Sequence, residues 1–166
     1  YAETQDMNDE QKKENLLESL DQIYSRTRNI SKENSTISTG VAYEHQLKEM
    51  LSSYSSTKTN VIISNLPTVD WSKIKNEPKI AIYRVLQELM VNMKKHSEST
   101  HVFIGFENQK KALHIKYSDN GKGCSDLLKN KKGLQNAENR ILAINGTLTF
   151  ETETGKGFKV EMIVPN

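Results

Sequence analysis

At 166 residues the chain is long enough for one compact domain with its own core and one further element. Its 23 basic and 21 acidic residues nearly cancel, and the net charge of +2 implies no strong field for nucleic acid or membrane, only a modest bias toward an anionic ligand. The one cysteine, Cys124, has no partner for an internal disulfide, which fits a reducing compartment, and no apolar run approaches the roughly 20 residues that span a bilayer.

The opening Tyr1-Ala2-Glu3 has no signal-peptide pattern and no initiating Met, so a piece of a longer protein is expected. Residues 1–13 are polar, acidic and without apolar spacing, and read as a disordered lead-in. Leu16, Leu17, Leu20, Ile23, Tyr24 and Ile30 recur at helical intervals, which predicts an amphipathic helix of about five turns beginning near Asp9 or Glu14. The small polar residues from Ser35 to Gly40 break this pattern and read as a linker.

Tyr43, Leu47, Met50, Leu51 and Tyr54 predict a second helix, and Asn60 to Ser64 a short strand. A loop from Pro67 through Trp71 follows. Pro78 suits the first turn of a third helix, where its missing N–H costs nothing, and that helix is expected to run to about Ser97. Two strands, His101 to Glu107 and Ala112 to Tyr117, are joined by the polar turn Asn108-Gln109-Lys110-Lys111. Gly121 and Gly123 then end the hairpin in a loop. A helix from Gly133 to about Ile144 and strands Thr147 to Thr152 and Phe158 to Val164 complete the chain.

The third helix carries the first chemical signal. Ile82, Leu86, Leu89, Met90 and Met93 share one face, which is the core side. Glu88, Asn92 and His96 follow at i+4 steps as a second stripe, centred roughly 100° around the helix, where polar groups line a cleft. Asn92 offers a neutral carbonyl oxygen, a hard ligand that can complete the octahedron of a Mg²⁺ already held by phosphates. Glu88 can orient a metal-bound water or take a proton, and Lys95 and His96 can donate to phosphate oxygens.

In the strand before the loop, Leu113, Ile115 and Tyr117 share a parity that also points Asp119 inward. A carboxylate aimed into an apolar pocket calls for a donor, and the exocyclic amino group of adenine is one. Lys131 and Lys132 stand just before Gly133-Leu134, where a helix start presents N–H groups to phosphate. The dinucleotide pattern GxGxxG and the phosphate-loop pattern ending in Gly-Lys-Ser/Thr are both absent.

Taken in order, Tyr83-Arg84 through Glu88 and Asn92 to Lys95-His96-Ser97 resembles the N-box of sensor histidine kinases, and Asp119-Asn-Gly-Lys-Gly123 resembles their first glycine box. Gly133-Leu134 through Arg140, Asn145-Gly146, Gly155-Lys-Gly157 and Val164-Pro165 is similar to the end of the same domain. Tyr83-Arg84, Lys95-His96 and the short lid between Gly123 and Gly133 look most like the nitrate-sensor and desaturase-regulator subfamily.

The resemblance implies an α/β fold: a two-layer sandwich of a mixed β-sheet with helices on one face, preceded by a long N-terminal helix. Residues 40–166 would form the ATP-binding catalytic domain, and residues 1–39 a lead-in and the remnant of a dimerisation helix hairpin. It further implies Asn92 as metal ligand, Glu88 as a supporting catalytic base, and an ATP site drawn from Asn92, Lys95, His96, Asp119, Gly121, Gly123, Lys132, Gly133 and Leu134. ATP and Mg²⁺ are the implied cofactors.

The implied partners are a response regulator receiver domain and the hairpin of the same kinase, in a full-length homodimer, with the catalytic part in the cytoplasm. No histidine here carries the family's acceptor pattern. His45 lies on the second predicted helix without it, and His101 and His114 fall on strands as surface positions. This stretch is therefore expected to be inactive in autophosphorylation alone. Phe158 departs from the Thr usual after the last glycine box, and its place in the alternation Phe158, Val160, Met162, Val164 points to packing. Two other readings stay open: a serine kinase or ATPase on the same fold, and a nucleotide-sensing module without turnover.

Overall fold

A computed structural model describes residues 9–33, 36–123 and 131–166. Two compact units, residues 1–36 and 37–166, divide the chain.

In the first unit, helix α1 spans Asp9–Glu33, starting at the earlier of the two expected positions. Asp9 to Lys13 therefore belong to the helix rather than to a disordered lead-in: Glu, Gln and Lys are good helix formers even without an apolar face. The lead-in expected over residues 1–8 lies outside the described residues. Leu16, Leu17, Leu20 and Ile23 are all more than half exposed.

The second unit contains α2 (Tyr43–Ser52), β1 (Asn60–Ser64), α3 (Asn76–Asn92), β2 (His101–Gln109), β3 (Ala112–Asp119), α4 (Lys131–Leu142), β4 (Thr147–Thr152) and β5 (Phe158–Pro165). Two short 3₁₀ turns, Leu66–Thr68 and Trp71–Lys73, fill the expected loop after β1. The sheet order is β1-β2-β3-β5-β4, with β1 parallel to β2 and every other pair antiparallel. This is the mixed sheet and α/β sandwich expected.

One face of the sheet presents Val102, Ile104 and Phe106 from β2, Leu113, Ile115 and Tyr117 from β3, and Val160, Met162 and Val164 from β5, all buried. Against it pack Leu47 and Leu51 of α2, Ile82, Leu86, Leu89 and Met90 of α3, and Ala137 and Ile141 of α4. Each large aliphatic side chain buried in this way contributes about 1.5–3 kcal/mol. Trp71 closes one margin, 4.8 Å from the Tyr43 ring and 6.1 Å from that of Phe106.

Boundaries differ from the sequence reading where side chains stop alternating. The β2–β3 ladder runs on to the pairs Asn108↔Leu113 and Gln109↔Ala112, leaving only Lys110-Lys111 as the turn. At the far end β3 includes Asp119, which pairs with Val102 and Phe158. Helix α4 ends at Leu142 because Gly146, opposite Ile141, closes the turn with its N–H on the Ile141 carbonyl at 2.9 Å.

Candidate nucleotide site

Glu88 and Asn92 sit one turn apart on α3, both half-buried, with Asn92 Nδ2 3.5 Å from Glu88 Oε1. That contact uses the amide nitrogen of Asn92 and not its carbonyl oxygen. The first turn of α4 lies directly against the pair. A Cβ on Gly133 would stand 2.5 Å from Glu88 Oε1 and 3.8 Å from Asn92 Nδ2, so with Glu88 in its place only a residue without a side chain fits here. Gly133 thus lies inside the first turn of a helix that includes Lys131, not at its boundary. Lys132 is exposed, and Leu134 is buried in the core.

After Asn92 the helix does not continue as α. Met93–Ser97 form a single π turn, after which Glu98 takes the left-handed conformation at φ 52°. The change of pitch takes His96 off the i+4 stripe of Glu88 and Asn92, and Lys95 and His96 are exposed. Single π turns recur at functional sites. Here the turn delivers the buried Ser97, whose carbonyl accepts from the N–H of Lys122 at 2.8 Å. The Lys122 side chain adds an exposed ion pair to Glu98 at 2.8 Å, which holds the Glu98 carboxyl below its usual range through that hydrogen bond and the ammonium charge.

Asp119 is buried at the end of β3, as its parity predicted. One carboxylate oxygen, Oδ2, accepts from the Tyr117 hydroxyl at 2.8 Å, and the other, Oδ1, from the N–H of Gly121 at 2.9 Å. Burial pushes the Tyr117 hydroxyl well above the ordinary tyrosine range, and the charge of Asp119 and its hydrogen bond push it further the same way. Asn120 turns outward, its Oδ1 accepting from the N–H groups of Thr100 and His101 at 3.0 and 2.9 Å, so it pins the loop to the start of β2.

The loop after Asp119 is braced from two sides. A Cβ on Gly121 would collide with the Ser97 carbonyl. Gly123, at φ 68°, would meet the Glu153 carbonyl, and Gly157, at φ 78°, the carbonyl of Asp119 itself. The N–H of Gly155 donates to the Lys122 carbonyl at 2.7 Å. The turn between β4 and β5 therefore holds the 119–123 loop against the end of α3. Residues 124–130, most of the expected lid, lie outside the described residues.

Tyr117 and Ser97 are the site-forming contacts that sequence reasoning passed over. The signal for Tyr117 was present: the alternation that turns Asp119 inward turns Tyr117 inward too, two residues away on one face. Ser97 had no such signal, since its role rests on a main-chain carbonyl. Phe158 is half-buried, edge-on to Tyr117 at 6.4 Å and stacked near Phe150 at 6.3 Å, in keeping with packing. His114 corrects the surface reading: its side chain is 18% exposed, 3.7 Å from Glu161, because it lies within the central strand. His101 and His45 are exposed.

A groove of about 340 Å³ opens on the opposite face of the sheet, lined by Phe103, Lys116, Thr149 and Lys159 among others, and it holds none of Glu88, Asn92 or Asp119. The arrangement at α3, the 119–123 loop and α4 offers a buried acceptor pair, an amide and a carboxylate in reach of a helix start, and exposed cations nearby. Chemically, such a set can take a hydrogen-bond donor at the buried carboxylate and an anion at the helix start.

Residues 77–166 match the family model of histidine kinase-, DNA gyrase B- and HSP90-like ATPases, and the chain belongs to that family. Within it, the chain is similar to sensor histidine kinases: 34% identical to ComP of Bacillus subtilis (strain 168) over 91 residues, which is 52% of this chain and 12% of that protein. It is 36% identical to YdfH of the same strain over 89 residues, 50% of this chain and 22% of the relative. The histidine-protein kinase/phosphatase DegS of Brevibacillus brevis matches at 30% over 89 residues, 52% of this chain and 23% of the relative. These matches span less than a quarter of each relative. In fold, the histidine kinase domain of the Erythrobacter litoralis EL346 blue-light activated histidine kinase aligns with a TM-score of 0.60 at 18% identity, over 75% of this chain and 59% of that one. Among the described residues no helix is long and apolar enough to cross a membrane.

Proposed function

We propose that this chain binds ATP with Mg²⁺ between α3, the 119–123 loop and α4, and passes the γ-phosphate to a histidine on a dimerisation hairpin, for relay to a response regulator receiver domain. The observation that carries the reading is the seating of α4 on Glu88 and Asn92 through Gly133, together with the braced Asp119 at the end of β3. The first turn of α4, which also carries Lys132, thus lies against the Glu88 carboxylate and the Asn92 amide.

One amide and one carboxylate suit a small hard cation that arrives already bearing phosphate and water ligands. Mg²⁺ held there would neutralise charge on the phosphates as it builds during transfer. Asn92 would ligate it through Oδ1, Glu88 would orient a ligand water or take a proton, and Lys95, His96 and Lys132 would meet phosphate oxygens. Asp119 would accept from the adenine amino group, with Gly121 and Gly123 letting the backbone approach and Leu134 lining the apolar wall. In the transfer a histidine ring nitrogen attacks the γ-phosphorus, the bond to the bridging oxygen breaks, and ADP leaves. Catalysis is then mostly positioning and charge neutralisation.

The relatives are named as sensor histidine kinases, which supports the histidine acceptor over a serine hydroxyl or water. We further propose that in the parent protein this part lies in the cytoplasm and works in a homodimer. The test mixes the chain with ATP, Mg²⁺ and a separate acceptor hairpin. Acid-labile, base-stable phosphate on the hairpin is the expected product, with none on this chain alone. Acid-stable phosphoserine, or phosphate release without transfer, would replace the reading with a serine kinase or an ATPase.

A further inference from the structure

The floor of the site is not Asp119 alone. Its Oδ2 takes the Tyr117 hydroxyl at 2.8 Å and its Oδ1 takes the Gly121 N–H at 2.9 Å. Both Tyr117 and Asp119 are buried, and both face the helix layer from one strand, two residues apart. We propose that Tyr117 is a positioning residue for nucleobase recognition, holding the Asp119 carboxylate in one orientation and leaving only acceptors at the pocket floor. The proposal rests on the reading that Asp119 meets the 6-position of a purine.

A carboxylate fixed at one oxygen by a main-chain N–H can still swing at the other; the phenol removes that freedom. Because the acceptor is charged, this hydrogen bond is of the stronger, charge-assisted kind. Its proton is therefore committed to Asp119, and the resistance of the buried hydroxyl to ionisation keeps it a donor there. What the carboxylate then has left to offer is lone pairs alone. A 6-amino group, which donates, is matched. A 6-keto group, as in guanine or hypoxanthine, brings an acceptor against acceptors and is rejected. The phenol ring is itself immobilised, buried in the core and edge-on to Phe158 at 6.4 Å, so the hydroxyl has little room to turn away.

The experiment measures binding of ATP, of purine riboside triphosphate, which has hydrogen in place of the 6-amino group, and of inosine triphosphate to the 166-residue chain and to Tyr117→Phe. The wild-type chain should prefer ATP to both analogues. Tyr117→Phe should weaken ATP by about tenfold while moving purine riboside triphosphate by less than about twofold, because only the amino group reads the orientation of Asp119. Equal loss of both nucleotides would mean a packing role and would overturn the proposal, as would no loss of either. Asp119→Asn supplies a second check: if Tyr117 acts through Asp119, Tyr117→Phe should cost nothing further in that background, and additive losses would contradict it. Should the wild-type chain bind ATP no better than the 6-hydrogen analogue, the assignment of Asp119 to the base fails first, and the role of Tyr117 falls with it.

Discussion

The main-chain N–H of Lys122 donates to the carbonyl of Ser97 across 2.8 Å, and that one bond ties the loop carrying Asp119 to the helix carrying Asn92. The two ends of the candidate site are thus set relative to each other by a backbone bond, with the Lys122–Glu98 ion pair beside it. Gly121 lies beneath the bond, where a Cβ would overlap the Ser97 carbonyl and come within 2.7 Å of its Cβ.

Gly121→Ala should therefore push the loop off the helix end. Neither obstacle is the tip of a flexible side chain, so the strain cannot be relieved locally, and a loss of about 1–3 kcal/mol is expected. Urea unfolding measures it, and nucleotide binding should weaken in parallel.

Gly133→Ala should behave in the opposite way. Its new methyl meets Glu88 Oε1 at 2.5 Å, the far end of a half-buried and movable side chain, while replacing glycine in a helix gains about 0.5–1 kcal/mol. Stability should hold or rise while Mg²⁺-dependent ATP binding falls, because Glu88 is driven from its place beside Asn92. Thermal unfolding and calorimetry on the same sample separate the two effects.

How much of this was legible beforehand varies by residue. The run Asn60 to Ser64 matched β1 residue for residue, since apolar residues between polar flanks leave little choice of element. Asp119 was placed inward by parity alone, because a strand has only two faces. The π turn at Met93–Ser97 left no mark in the sequence: it is selected by the tertiary bond it allows between Ser97 and Lys122, and helix periodicity reports only the α pitch. The extension of β2 through Asn108 and Gln109 was hidden for a different reason, as the last residues of that strand are all exposed and do not alternate.

Alkaline pH should destabilise the fold through its buried phenols. Burial raises the hydroxyls of Tyr43 and Tyr117 above the usual tyrosine value, and each already donates a hydrogen bond, Tyr43 to the Lys79 carbonyl at 2.7 Å and Tyr117 to Asp119. In the unfolded chain these groups lose protons near pH ~10, while the folded chain retains them, so the unfolded state binds fewer protons. The stability they contribute is complete below that pH and is lost as pH rises beyond it, by up to ~1.4 kcal/mol per pH unit for each tyrosine. Urea unfolding from pH 8 to 11 should show the slope, and Tyr43→Phe should remove part of it.

The central claim is that Asp119 and Asn92 are two ends of one ATP·Mg²⁺ site. Isothermal titration of the chain with ATP, with and without Mg²⁺, tests it most directly. Binding should be abolished by Asp119→Ala under both conditions, whereas Asn92→Ala should retain the Mg²⁺-free affinity and lose the gain that Mg²⁺ brings. ATP binding that is unchanged in both variants, or absent from the wild-type chain, would contradict the account.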